Sequence, residues 1–274
     1  MGENKVTEWY QPRLSCILVR MKDDFPLTVP GAEPCLLLGG PTACLLFHGF
    51  SANPEEMQFL ADDLHGRGHT VLNMRLAGHG THPADLARTR WSDLLLSAED
   101  GLDLLRSFSN RIVLIGQSMG GMLALTAAAR LTPLTGVVAL STPYFNYPFT
   151  ELLLARLLGM LGLMAHKRVK EDPTLGPRRE ATYPAYTQYP VRIVPDMARL
   201  QRALQAALPQ VTAPALVVQS RQDMGGGKDL ERIYSALGSA HKEKLWLDGF
   251  DHSVVRDEKR QQVFDAVGKF IEGL

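Results

Sequence analysis

Residues 111–130 read RIVLIGQSMGGMLALTAAAR, an apolar run broken by a glycine-flanked serine and followed at once by an alanine- and leucine-rich stretch. The first five residues have the composition of a buried strand and the last twelve that of a helix. G-Q-S-M-G between them is the G-x-S-x-G turn in which a strand passes sharply into a helix. Glycines belong on both sides of Ser118 because side chains there would collide where strand and helix approach. Such a turn raises the Ser118 hydroxyl above the carboxyl edge of a sheet, beside a helix amino terminus whose unpaired N–H groups and dipole favour an anion.

Working outward, short Leu/Ile/Val runs recur at 14–20, 35–40, 43–50, 69–75, 136–141, 215–220 and 243–249. Most are apolar almost without interruption, as expected of strands covered on both faces of a parallel sheet. Helical stretches separate them: 51–68, with Ser51 and Asn53 as capping candidates and Pro54 near its start, 91–108, 119–131 and 257–274. Strand then helix, repeated, predicts an α/β fold with a doubly wound, mostly parallel sheet of about eight strands. The rhythm fails over 143–210, which holds many prolines, Tyr144, Tyr147, Tyr183, Tyr186 and Tyr189, an apolar stretch at 152–165 and a helix-like 195–208. So long an insertion between two strands reads as a small helical cap, with 1–142 and 211–274 forming the core domain.

Hydrophobic residues make up 45% of the 274 and charged ones 21%, which fits a globular chain rather than a disordered or disulfide-built one. With 29 basic and 29 acidic residues the formal charge is zero, so no global field draws in nucleic acid. Cys16, Cys35 and Cys44 form an odd set beside apolar runs and read as buried thiols. Together with an opening segment that lacks a secretory apolar region, they set the cytoplasm as the expected compartment. The 152–165 stretch carries Arg156 and is too short to span a bilayer; it reads as a helix buried against something local.

A serine hydroxyl attacks only when a base takes its proton. Of eight histidines, His252 follows the last strand in a loop that opens on the same sheet edge as the serine turn. His65, His69, His79, His82, His166 and His241 read as solvated or structural. An imidazole base needs an acid to hold its tautomer, and Asp223, just past the 215–220 strand, gives the chain order serine, acid, histidine. Asp248 and Asp251 are the rivals, but Asp251 adjoins His252, so the two side chains diverge. For a developing oxyanion the donors would be the N–H of Met119, after the serine, and that of Phe50, in the His48-Gly49-Phe50 turn that ends the 43–50 run. His48 would brace that turn, and Arg75 the "GHGTHP" loop at 78–83. His79 and His82 in that loop have no third ligand at a fitting spacing, so no metal is expected.

These segments resemble the α/β-hydrolase superfamily and, within it, the bacterial carboxylesterase and monoacylglycerol lipase group. The carrying motifs are LLFHGFSANPEEM (45–57), GHTVLNMRLAGHGTHP (68–83), GQSMGG (116–121), LVVQSRQD (216–223) and LDGFDHSVVRDEKRQQVFDAVGKFI (247–271). The resemblance implies Ser118 as nucleophile with Asp223 and His252, oxyanion donors at Phe50 and Met119, no cofactor, and a cap over an acyl pocket. The expected substrate is a small ester with an apolar acyl chain, cleaved through an acyl-enzyme. Where relatives usually place an apolar residue and proline after the acid, this chain has Met224-Gly225-Gly226-Gly227. Tyr144, Phe145, Tyr147, Leu153 and Leu157 are candidate pocket residues, or equally cap core. The apolar 152–164 stretch suits a lid, and the basic residues of HKRVK (166–170) with Arg178 and Arg179 suit contact with a lipid interface. The same triad also serves acyl transfer, amide cleavage or carbon–carbon hydrolysis, and a retired fold could bind a ligand without chemistry.

Overall fold

The computed structural model describes residues 27–167, 184–223 and 228–274. The strand expected at 14–20, Cys16, Tyr183, the basic residues Arg168, Lys170, Arg178 and Arg179, and Met224 to Gly227 lie outside the described residues. The other seven expected strands are all present, joined in one sheet of seven. These are β1 (Cys35–Leu37), β2 (Gly40–Phe47), β3 (His69–Met74), β4 (Arg111–Gln117), β5 (Gly136–Leu140), β8 (Ala215–Ser220) and β9 (Lys242–Leu247). Their spatial order is β1-β3-β2-β4-β5-β8-β9; only β1 runs antiparallel to its neighbour. The helices are α1 (Gln58–Gly66), α2 (Pro83–Leu86), α3 (Trp91–Arg106), α4 (Met119–Ala128), α5 (Phe149–Met160), α6 (Val194–Ala207), α7 (Lys228–Ala236) and α8 (Gln261–Glu272).

The continuous apolar character of the central strands has a simple cause. In β2, Ala43, Leu45 and Phe47 face a core shared with α3, α4, α6 and α7, whereas Cys44 and Leu46 face a second core shared with α1 and α8. Alternate side chains therefore meet helices on both faces, and neither face can be polar. Cys44 is fully buried, which pushes its thiol up to about 12; Cys35, expected to be buried too, is half-buried on the edge strand. The serine turn packs as the glycines require: a Cβ on Gly116 would strike the Gly120 carbonyl, and one on Gly120 the Phe47 carbonyl.

The segment between β5 and β8 departs from the reading in two respects. The helix expected over 152–165 stops at Met160, and the chain then forms β6 (Met164–His166), which pairs antiparallel with β7 (Gln188–Pro190). The insertion is thus not purely helical. Moreover, among the described residues α5 is only partly buried, one side of it packing against the 3-10 turn Val191–Ile193 and α6. The small residues Ala155 and Gly159 are buried, Gly159 against the backbone of Arg192, and Leu152 and Leu158 are half-buried, while Phe149, Leu153, Leu154, Leu157 and Met160 are exposed. A helix apolar on most sides that packs along one stripe presents the remainder outward. In contrast, α6 places Met197, Leu200 and Leu204 in the main core and anchors the insertion to the sheet layer. Among the described residues no helix is long and apolar enough to cross a membrane.

Candidate active site

The carboxyl ends of β2, β4, β8 and β9 bring the expected residues together. Ser118 stands between β4 and α4 with φ 55° and ψ −114°, a left-handed conformation that a side-chain-bearing residue adopts only under constraint. The constraint is visible in the Ser118 N–H, which donates to the Leu140 carbonyl at 2.8 Å, tying the turn to the end of β5. His252 Nε2 lies 2.8 Å from Ser118 Oγ, and His252 Nδ1 lies 2.7 Å from Asp223 Oδ1. Because the carboxylate offers only lone pairs, the ring proton sits on Nδ1 and Nε2 is left as the acceptor for the serine proton. The Asp223 side chain is 2% exposed and that of His252 34%, so the acid is sealed behind the ring while the base reaches solvent.

Two loops carry acid and base, and they are laced to each other. Ser220 Oγ donates to the Phe250 carbonyl at 2.8 Å, the Gly249 N–H donates to Gln222 Oε1 at 2.8 Å, and Gln219 Nε2 faces Asp223 Oδ2 at 3.4 Å. Gln117, within the pentapeptide, donates from Nε2 to the His252 carbonyl at 2.8 Å. Nothing in its sequence position announces this positioning role, because a residue flanking the serine can point either way. Asp248, one rival acid, is instead surface-exposed and 3.4 Å from Arg221; the N–H of the other, Asp251, donates to Asp257.

The turn after β2 is fixed from several sides. The Leu76 N–H donates to His48 Nε2 at 3.2 Å, so His48 carries its proton on Nδ1, which donates to the Gly49 carbonyl at 2.9 Å. The Ala52 N–H donates to the same carbonyl at 3.2 Å. A trans peptide directs the following N–H opposite its carbonyl, so these bonds set the direction of the Phe50 N–H. Among the described residues, neither the Phe50 nor the Met119 N–H donates to another protein group. Gly49 itself lies between Ser118 and Glu56, a buried acid absent from the sequence-based site: a Cβ at Gly49 would stand 3.2 Å from Glu56 Oε2 and 3.5 Å from the Ser118 Cβ. Glu56 occupies the short 3-10 helix Pro54–Met57, which Asn53 caps through the Glu55 N–H.

His48 and His79 are both buried, their rings 5.0 Å apart, and burial above all keeps them neutral: His48 is held well below 6.5 and His79 falls to about 4. His79 is therefore structural, with Nδ1 donating to the Ala77 carbonyl, and Arg75 does reach this loop through the His79 carbonyl. His82 caps α2. The sign of the resulting pH effect follows from proton uptake. Between about 6.5, the ordinary histidine value, and about 4, the unfolded chain binds the proton that folded His79 refuses, so stability falls as pH falls. By pH 5 the loss from this residue reaches about 2 kcal/mol. His48 acts in the same sense, whereas Glu56, raised by burial, acts in the opposite one. Urea midpoints are expected to drop between pH 7 and pH 5; equal midpoints would contradict this balance.

The segment preceding β7 packs against the Phe50 turn. The Tyr186 N–H donates to the Ser51 carbonyl at 2.8 Å, its hydroxyl accepts from the Thr81 N–H at 2.8 Å, and Tyr189 packs edge-on to Phe50 at 5.1 Å. Tyr144 and Tyr147 are half-buried against the main core, and burial above all lifts the Tyr147 phenol to about 12. Phe145 stacks at a tilt on Tyr147, 4.8 Å away, and shares with it and Leu152 a cleft of about 60 Å³. Leu153 and Leu157 sit farther along α5, each about half exposed.

The model of a family described as serine aminopeptidase, S33, matches residues 41–259, taking in the whole arrangement just described. The chain belongs to this α/β-hydrolase family. This hydrolase is 31% identical over 261 residues to a thermostable monoacylglycerol lipase of Bacillus sp. (strain H-257), covering 91% of this chain and 98% of that one. It is 25% identical over 244 residues to a carboxylesterase of Bacillus subtilis (strain 168), covering 88% and 97%. Among solved structures, one from the metagenome-derived lipolytic enzymes LipS and LipT matches with a TM-score of 0.80 at 27% identity, covering 90% of this chain and all of that one.

Proposed function

We propose that the protein is a serine hydrolase of carboxylic esters that works through an acyl-enzyme, on substrates of the carboxylesterase and monoacylglycerol class. The observation that carries this reading is the unbroken array Asp223–His252–Ser118, ending beside two backbone N–H groups with no partner among the described residues. In the first step His252 Nε2 takes the Ser118 proton as Oγ attacks the carbonyl carbon. The Phe50 and Met119 N–H groups receive the charge on oxygen, and Asp223 steadies the imidazolium. His252 then returns the proton to the leaving alcohol, and water repeats the sequence to release the acid. Each backbone donor is worth about 10²–10³ in rate at such a site.

The segment 143–210 is read as a cap whose early residues Tyr144, Phe145 and Tyr147 border the acyl site, with Leu153 and Leu157 of α5 extending it. A second role for α5 has its own observation: an outward apolar face that includes Phe149, Leu154 and Met160 suits contact with a lipid aggregate. A panel of p-nitrophenyl esters and monoacylglycerols of graded chain length, run on wild type and on Leu153→Gln/Leu157→Gln, tests the acyl-site role. The double variant is expected to lose several-fold in kcat/KM on long chains and little on acetate. An unchanged chain-length profile would remove α5 from the acyl site, and added short alcohols would reveal acyl transfer as ester product.

A further inference from the structure

Glu56 is an acidic side chain in a place that disfavours one. It is 2% exposed, adjoins Met57 in a four-residue 3-10 helix, and has no part in the proton relay from Ser118 to Asp223. Burial raises its carboxyl, while the Gly49 N–H and then Lys167, His252 and Arg256 oppose that rise. A buried carboxylate is retained at a cost unless its oxygens do something specific. Here one oxygen accepts the Gly49 N–H in a short bond, and the other lies 3.4 Å from the hydroxyl of Ser253, the residue after His252.

We propose that Glu56 is a positioning residue for the oxyanion donor, clamping the turn that bears Phe50 to the loop that bears His252 so that donor and base keep one separation. The inference rests on the proposed ester hydrolysis for its kinetic consequence, not for its geometry. Gly49 is held on both sides: its carbonyl by His48 and Ala52, its N–H by Glu56. With the carbonyl side alone the peptide can still rock about the axis of those bonds, carrying the Phe50 N–H away from the Ser118 hydroxyl. Gly49 stands directly between Glu56 and Ser118, so any tilt there is felt at the nucleophile. Ground-state binding of an acyl chain uses none of these groups, which separates the effect on turnover from that on affinity.

The test compares Glu56→Gln, which keeps an oxygen at full reach, with Glu56→Asp, which keeps the charge but shortens the arm, and Glu56→Met, which keeps the volume without an acceptor. Glu56→Gln is expected to stay within about 5-fold of wild-type kcat. Glu56→Asp and Glu56→Met are expected to fall by about 10²-fold with KM within about 2-fold, the scale of a misplacement near 1 Å. Either of the latter suffices if the other fails to fold. Amide hydrogen exchange of the peptide spanning residues 47–53 gives a readout independent of activity: protection at Gly49 should persist in Glu56→Gln and be lost in the other two. The reverse kinetic order, with Asp near wild type and Gln impaired, would assign a charge effect on His252 and overturn the clamp. Unaltered exchange in Glu56→Met would overturn it as well, even if wild type hydrolysed no ester.

Discussion

Replacing Ser118 with alanine is expected to lower kcat on a short p-nitrophenyl ester by about 10⁴-fold or more, because no other group on the sheet edge stands where Oγ does. The fold should survive the change. The backbone at Ser118 holds φ 55°, a conformation costing about 1–3 kcal/mol for any side-chain-bearing residue, so alanine inherits the strain without adding to it. The bond from the residue's N–H to Leu140 does not involve the hydroxyl and remains. Thermal melts of the two proteins should therefore agree within a few degrees, while turnover collapses; a variant that retains a tenth of wild-type activity would remove Ser118 from the chemistry.

Asp223→Asn is expected to cost almost as much, about 10⁴-fold in kcat. The reason lies in the direction of one amide. Gln219 Nε2 faces Asp223 Oδ2, and it would draw the new side chain's oxygen toward itself and turn the new NH₂ toward His252 Nδ1. A donor at that place forces the ring proton to Nε2, where it confronts the Ser118 hydroxyl and cannot accept its proton. The side chain keeps its volume in a closed pocket, so the melting temperature should shift little. Kinetics on the same ester measure the effect; a loss under 10-fold would mean that the acid only packs against the ring.

Much of the sheet was legible because its physics is local and repeated. Each central strand is apolar on both faces, as β2 shows with Leu45 in one core and Leu46 in the other, and such runs cannot be mistaken for surface. The serine turn was legible for a related reason: backbone meets backbone at Gly116 and Gly120, and only glycine fits. Asp223 and His252 followed from sheet topology, since both lie beyond carboxyl ends on the side of Ser118. What escaped reading depends on contacts between distant segments. The apolar run at 152–165 suggested burial, but whether a partner exists to bury it is not written in the run, and among the described residues α5 packs only one side, against the 3-10 turn Val191–Ile193 and α6. The β6–β7 pairing joins residues more than twenty positions apart through strands of three residues, too short to show a period. Nothing in the sequence marks Glu56, because its place behind Gly49 arises only when the fold brings the two together.

The proposed chemistry requires that His252 make Ser118 nucleophilic, and covalent trapping tests that most directly. Wild-type protein treated with a fluorophosphonate should gain one phosphonyl group, mapped by peptide mass spectrometry to Ser118, with esterase activity lost in step; His252→Ala should label at least about 10²-fold more slowly. Full activity after exhaustive treatment, or a label on another residue that tracks the loss of activity, would contradict the assembly of base and hydroxyl described for this site.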